Sequence, residues 1–136
     1  MAQKFQLEIV TPDRHFFSGE VEMVVVRTTE GDEAYMADHM WTVVPLKTGV
    51  LKIKENDKIK KASCSGGFIH VKEGLTTIVA DSAEWPEEID VERAKAAKER
   101  AEKHLEGENA NTDADRAKAA MLRALTRIKV QEEHKE

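Results

Sequence analysis

The sequence has a single cysteine, Cys64, in 136 residues, so no disulfide can form within the chain. Nothing around it marks a thiol nucleophile, and a small buried or sheet residue is the expected role. No apolar run approaches the roughly 18 residues of a membrane span, and no basic segment followed by an apolar core opens the chain. That pattern reads as a soluble intracellular protein. Positive charge is in deficit: 21 Lys and Arg stand against 26 Asp and Glu, for a net charge of -5, which argues against nucleic acid as a partner. Catalytic machinery is missing too. None of His15, His39, His70, His104 and His134 sits at a metal-ligand spacing, so no metal is expected. Asp38-His39 has no serine in a nucleophile-elbow context to complete a triad. Gly66-Gly67 lacks a phosphate-loop lysine and precedes a strand, so it reads as a tight turn or bulge. No catalytic residue is expected anywhere.

Aromatic residues are scarce, and every one of them lies at or before Trp85. The β-branched clusters lie there as well, whereas Ala, Glu, Lys and Arg dominate after Pro86. This composition break divides the chain into a β domain over 1–85 and a helical segment over 86–136. In the first part Phe5, Leu7 and Ile9 alternate with polar residues, and Thr11-Pro12-Asp13 supplies a turn. A strand is expected over 21–27, apolar enough through Val24, Val25 and Val26 to be buried on both faces. Glu30-Gly31-Asp32 turns the chain, and further strands are expected over 42–46, 50–54, 59–64, 68–71 and 75–80. Short strands with a turn signal every eight to twelve residues indicate a sandwich or barrel. The absence of βαβ alternation argues against a parallel sheet.

The second part reads as an antiparallel helical hairpin. Val91, Ala94, Ala97, Ala101 and Leu105 recur at helical spacing, as do Ala114, Ala117, Met121, Ala124 and Ile128. Asp90 is a candidate N-cap, Gly107 a C-terminal stop, and Thr112 or Asp113 a second N-cap. An alanine seam buries little area, so the hairpin is expected to need another surface to lie on. Lys95, Lys98, Lys103, Lys118 and Lys129 each have a carboxylate three or four residues away, Glu133 serving Lys129. Arg100, Arg123 and Arg127 have none, and a turn centred near Asn109 and Ala110 brings Arg93 beside the gap between Arg123 and Arg127, with Arg100 about two turns further along. Such arginines suit either an anion with several oxygens or an acidic protein partner; on the residues alone, solvent or a protein is the preferred reading.

Six stretches in order carry a resemblance: residues 5–12, Gly19-Glu20-Val21-Glu22, residues 46–51, Ser65-Gly66-Gly67-Phe68, residues 80–84 and residues 89–94. Together they resemble the epsilon subunit of bacterial F-type ATP synthases over essentially the whole chain. The resemblance implies a β-sandwich of about ten strands followed by an antiparallel two-helix hairpin. It implies a non-catalytic central-stalk subunit that couples proton or sodium flow to rotation. The sandwich would contact the gamma subunit and the c-ring, and the hairpin would restrain ATP hydrolysis by reaching the alpha and beta subunits when extended. The location implied is the cytoplasmic face of the membrane, peripherally through the complex. An I-D-x-x-R-A motif, here Ile89, Asp90, Arg93 and Ala94, with Glu84, Arg100, Arg123 and Arg127, implies ATP as a regulatory ligand of the folded hairpin rather than a cofactor. The alternative is a free-standing adaptor whose hairpin binds an acidic protein without nucleotide. One loop departs from the family pattern, since Trp41 stands where the family has proline and Ala34 where it has glycine. Tyr35, Met40 and Trp41 there either form an exposed patch for a partner or cover the open end of the sandwich, the second being preferred.

Overall fold

The computed structural model describes residues 3–106 and 114–134. Ten strands come first: β1 (Phe5–Val10), β2 (His15–Val21), β3 (Met23–Thr28), β4 (Gly31–Tyr35), β5 (Thr42–Pro45), β6 (Gly49–Glu55), β7 (Lys58–Ser65), β8 (Phe68–Lys72), β9 (Leu75–Val79) and β10 (Ser82–Glu84). A single 3-10 turn, Pro86–Glu88, leads to helices α1 (Val91–Glu106) and α2 (Ala114–His134). The strands form two five-stranded sheets, ordered β2-β1-β9-β8-β5 and β10-β7-β6-β3-β4. This is the ten-stranded sandwich followed by two helices that the resemblance implies. Leu7, Ile9, Val21, Val24, Leu51, Ile53, Ile69 and Ile78 are buried in the core, each on the inward side of a strand whose alternate residues meet solvent.

Two sequence expectations need correction here, and a third, the argument against a parallel sheet, holds with one exception. The apolar run at Val24-Val25-Val26 is not buried on both faces: Val24 and Val26 point inward while Val25 is half-buried. A sandwich sheet covers one face only, so alternation persists even where every residue is apolar. Strands β2, β4 and β10 were not anticipated, because Phe16-Phe17-Ser18-Gly19, Gly31–Tyr35 and Ser82–Glu84 carry turn-like or polar residues at their outward positions. One parallel pair does exist, β1 with β9, Gln6 lying opposite Leu75 and Val10 opposite Val79. It arises without a βαβ unit, because the intervening strands make the crossover through the second sheet.

Gly66-Gly67 performs a passage between sheets, from β7 to β8. Both residues have positive φ, +63° and +96°, and a Cβ on Gly67 would lie 1.9 Å from the Val79 carbonyl oxygen. Only glycine permits that approach. Cys64 is buried beside it, and burial pushes its thiol up to about 12, which makes it inert at neutral pH.

The helices pack through the expected alanine seam, with Ala94, Ala101, Ala117 and Ala124 all buried. The reversal between them, with Gly107, Thr112 and Asp113, lies outside the described residues. The surface on which the hairpin rests is the sandwich: α2 contacts β6, β7 and the 3-10 turn, and Thr126 and Val130, on the side of the helix away from the seam, are buried too.

Candidate functional site

Where the last strand hands over to the helices, four features fix the backbone. Trp85 stacks on Phe16 at 4.3 Å and edges onto Phe17 at 6.3 Å, anchoring the end of β10 to β2. Pro86 then starts the 3-10 turn, which the Glu88 carboxylate closes by accepting the Trp85 N–H at 2.9 Å. Ile89 is buried and returns the chain to an extended conformation. Asp90 caps α1, its Oδ1 accepting the Arg93 N–H at 3.1 Å, as the sequence predicts.

These elements and α2 enclose a cavity of about 300 Å³ lined by Glu84, Glu88, Asp90, Arg93, Ala94, Ala97, Arg100 and Arg127. Its size is at the low end for small-molecule sites. Six of the eight anticipated site residues are thus brought together: Glu84, Asp90, Arg93, Ala94, Arg100 and Arg127. Ile89 adjoins them in sequence but is buried. Arg123 is half-buried on α2 and is not among the lining residues; it lies one turn before Arg127, farther from the 3-10 turn. Arg127 is not unpaired as the helix pattern implies, because its Nε–H donates to Glu84 Oε1, a partner supplied by β10. Arg93 and Arg100 have no ion pair among the described residues.

Sequence reasoning missed Glu88 and the residue behind it. Arg14, in the β1–β2 turn, grips Glu88 with both fork nitrogens at 2.7 Å, and its Nη2 also donates to the Ala83 carbonyl at 3.4 Å. The guanidinium lies 5.1 Å from the centre of the Phe16 ring. Hydrogen bonding from Arg14 holds the Glu88 carboxyl below its ordinary value, and the same pair raises Arg14. A Pro-Glu-Glu start after an aromatic was a capping signal available in the sequence; the pairing with a residue 74 positions away was not.

A larger cavity, of about 650 Å³, lies at the C-terminal end of α2 between Lys60, Lys61, Trp85, Glu87, Glu133 and His134. Its charges are occupied by docking contacts. Lys61 Nζ meets Glu133 Oε2 at 2.9 Å, His134 Nε2 lies 3.2 Å from Glu87 Oε1, and Gln131 Nε2 donates to the Pro86 carbonyl at 2.8 Å. Glu133 therefore pairs with β7 rather than with Lys129 of its own helix. Of the intrahelical lysine pairs expected, Lys98 with Glu102 is formed, at 3.8 Å.

At the opposite end, the preferred reading of the departing loop is overturned for two of its three residues. Tyr35 is buried, its hydroxyl donating to Glu33 at 2.8 Å, and burial first and that carboxylate second push it up to about 12. Met40 and Trp41 instead stand 81% and 71% exposed, with Met36 and Val43 exposed near them in the chain. They form a surface rather than a lid.

Comparison with known proteins matches the sandwich and the helices in turn. The model of the ATP synthase delta/epsilon chain β-sandwich domain matches residues 4–86, and that of the delta/epsilon chain long α-helix domain matches residues 87–132. The chain belongs to the delta/epsilon family of ATP synthase subunits. Among its relatives within that family, the ATP synthase epsilon chain of Alkaliphilus metalliredigens is 53% identical over 94% of this chain and 96% of its own length. The corresponding chain of Staphylococcus aureus strain Newman is 45% identical over 93% of this chain and 95% of its own. A chain in the Euglena gracilis mitochondrial ATP synthase structure, OSCP/F1/c-ring in rotational state 1, superposes with a TM-score of 0.79 at 26% identity, over 98% of this chain and 82% of that one. The resemblance to bacterial epsilon subunits is borne out, and the family places the chain in ATP synthesis as part of the ATP synthase complex. No helix among the described residues is long and apolar enough to cross a membrane.

Proposed function

We propose that the chain is a non-catalytic central-stalk subunit that couples ion-driven rotation to synthesis, and that its hairpin restrains ATP hydrolysis in a manner set by ATP. The sandwich attaches to the gamma subunit and the c-ring at the cytoplasmic face of the membrane. The exposed Met36, Met40 and Trp41 supply apolar area for such an attachment. The observation that carries the regulatory part is the cavity in which Arg93 and Arg100 of α1, Arg127 of α2 and the end of β10 meet. A polyanion there bridges Arg93 and Arg100 of α1 to Arg127 of α2, which Glu84 ties to β10, so its binding energy accrues only to the docked hairpin. Arg93 and Arg100 bring unpaired guanidinium forks that match phosphate oxygens. Glu84 orients Arg127, and Asp90 is committed to its cap. Without ATP the docked state rests on the face of α2 that carries Thr126 and Val130 and on a few polar ties, and the hairpin extends toward the alpha and beta subunits.

Calorimetric titration of the whole chain with ATP and then GTP tests the ligand, and hydrolysis by the reassembled complex over a range of ATP concentrations tests the regulation. Saturable ATP binding with relief of inhibition at high ATP supports the reading. Absence of binding to the chain removes the nucleotide from it.

A further inference from the structure

The lining of the arginine cavity contains three arginines, Arg93, Arg100 and Arg127, and three carboxylates, Glu84, Glu88 and Asp90. Its formal charge is therefore balanced, which is a poor setting for a polyphosphate. Two of the carboxylates are committed locally, Glu84 to Arg127 and Asp90 to the Arg93 backbone N–H. Glu88 is the third, and no lining residue neutralises it. Its partner comes from outside the cavity: Arg14 is not a lining residue, yet both of its terminal nitrogens reach the two Glu88 oxygens.

We propose that Arg14 is a positioning residue for the anion site, acting through Glu88. It turns both Glu88 oxygens toward itself and supplies the charge that makes the site and its immediate support net positive. The inference rests on the nucleotide reading of the cavity and extends it to a residue on the first turn of the sandwich. Three features fit the role. Arg14 is held in place independently of any ligand, by the Thr11 N–H donating to its carbonyl at 3.0 Å and by its own donation to the Ala83 carbonyl. Its fork is bidentate, the geometry that fixes a carboxylate's orientation as well as its charge. Glu88 meanwhile accepts the Trp85 N–H, so the carboxylate that Arg14 orients also closes the turn leading to Ile89 and Asp90.

The test is calorimetric titration of ATP into four whole-chain forms: the natural sequence, Arg14→Gln, Glu88→Gln, and both together. Arg14→Gln leaves a bare carboxylate facing the phosphates and is expected to weaken ATP about tenfold. Adding Glu88→Gln removes that charge and is expected to restore affinity to within about twofold of the natural chain. Glu88→Gln alone leaves Arg14 uncompensated behind the site and is expected to tighten ATP severalfold. A purely structural tie predicts the reverse for the last two, with both weakened, and that result overturns the proposal; so does Arg14→Gln with unchanged affinity. Should Arg14→Gln fail to fold, the sign of the Glu88→Gln effect decides alone. An unmodified chain that binds no ATP overturns the nucleotide reading and this inference together, whereas a chain that binds ATP equally well in all four forms overturns only this one.

Discussion

Arg127 on α2 donates its Nε hydrogen to Oε1 of Glu84, 43 residues earlier at the end of the last strand. The contact is half-buried at both ends, and it joins the second helix to the sandwich directly rather than through the first helix. An arginine in that position serves the docked hairpin and the cavity at the same time.

Arg127→Ala is accordingly expected to weaken ATP binding by about tenfold or more, the effect of losing a charged hydrogen bond. Arg93→Ala and Arg100→Ala are expected to do the same, Arg123→Ala to do less because its side chain is not among those lining the cavity, and Lys118→Ala to do nothing. Titration calorimetry on the five variants ranks them. Equal losses for Arg123 and Arg127 would place the ligand elsewhere along α2.

The sandwich is expected to fold without the hairpin, provided Trp85 is retained, since Phe16 and Phe17 use it to cover their end of the core. A chain ending after Trp85 is predicted to unfold cooperatively in urea. Trp85→Ala in the same chain is predicted to cost about 3 kcal/mol, the low end for an aromatic truncation at a partly buried site. A broad, non-cooperative melt for residues 1–85 would mean that α2 completes the core.

Stability carries a signature in acid. Glu133 and Glu88 are both held below the ordinary value of 4.5, first of all by hydrogen bonds from Lys61 and Arg14. A depressed carboxylate contributes stability above its unfolded value and loses that contribution as pH falls through the folded one. The thermal midpoint is therefore expected to drop below about pH 4.5. Lys61→Ala is expected to melt earlier at neutral pH and to converge on the natural chain in acid. Parallel curves at every pH would show that the Lys61–Glu133 contact adds nothing in solution.

Gly67→Ala is expected to be among the most damaging single substitutions, since it combines a positive φ with a clash against the Val79 carbonyl. A loss above about 3 kcal/mol in denaturant titration is predicted. Gly74→Ala is the control: its φ is +75° but its Cβ meets open space, so about 1 kcal/mol is expected.

How far the sequence reached depended on the range of the interaction. Strands with a clear inward face, such as Phe5-Gln6-Leu7-Glu8-Ile9, and the alanine seam of the hairpin are local periodicities and were legible directly. So was the Asp90 cap, which needs only its own next three residues. Strands β2, β4 and β10 were not, because what makes Ser18-Gly19 or Ser82-Ala83 a strand is the neighbour it pairs with. The site divides in the same way. Arginines lacking a carboxylate on their own helix were visible, but helix spacing is silent about Glu84 on a strand, Arg14 on a turn or Lys61 drawing Glu133 away from Lys129. Exposure of Met40 and Trp41 was equally out of reach, since apolar residues in a loop carry no period that says which side they take.

The parallel pairing of β1 with β9 has a consequence for how the chain comes into being. The first strand synthesised lies between the second and the ninth, with Leu7 opposite Thr76 and Ile9 opposite Ile78. During translation, therefore, β1 and β2 emerge as a hairpin with the β1 edge unpaired and an apolar face uncovered, and they stay so until nearly the whole sandwich has left the ribosome. Closure of so long a loop places the commitment to the native state late in synthesis. The helices follow last, onto a sheet already complete, so a nascent chain stalled once Trp85 has cleared the ribosome but before α2 has emerged is expected to hold a finished sandwich with no arm upon it.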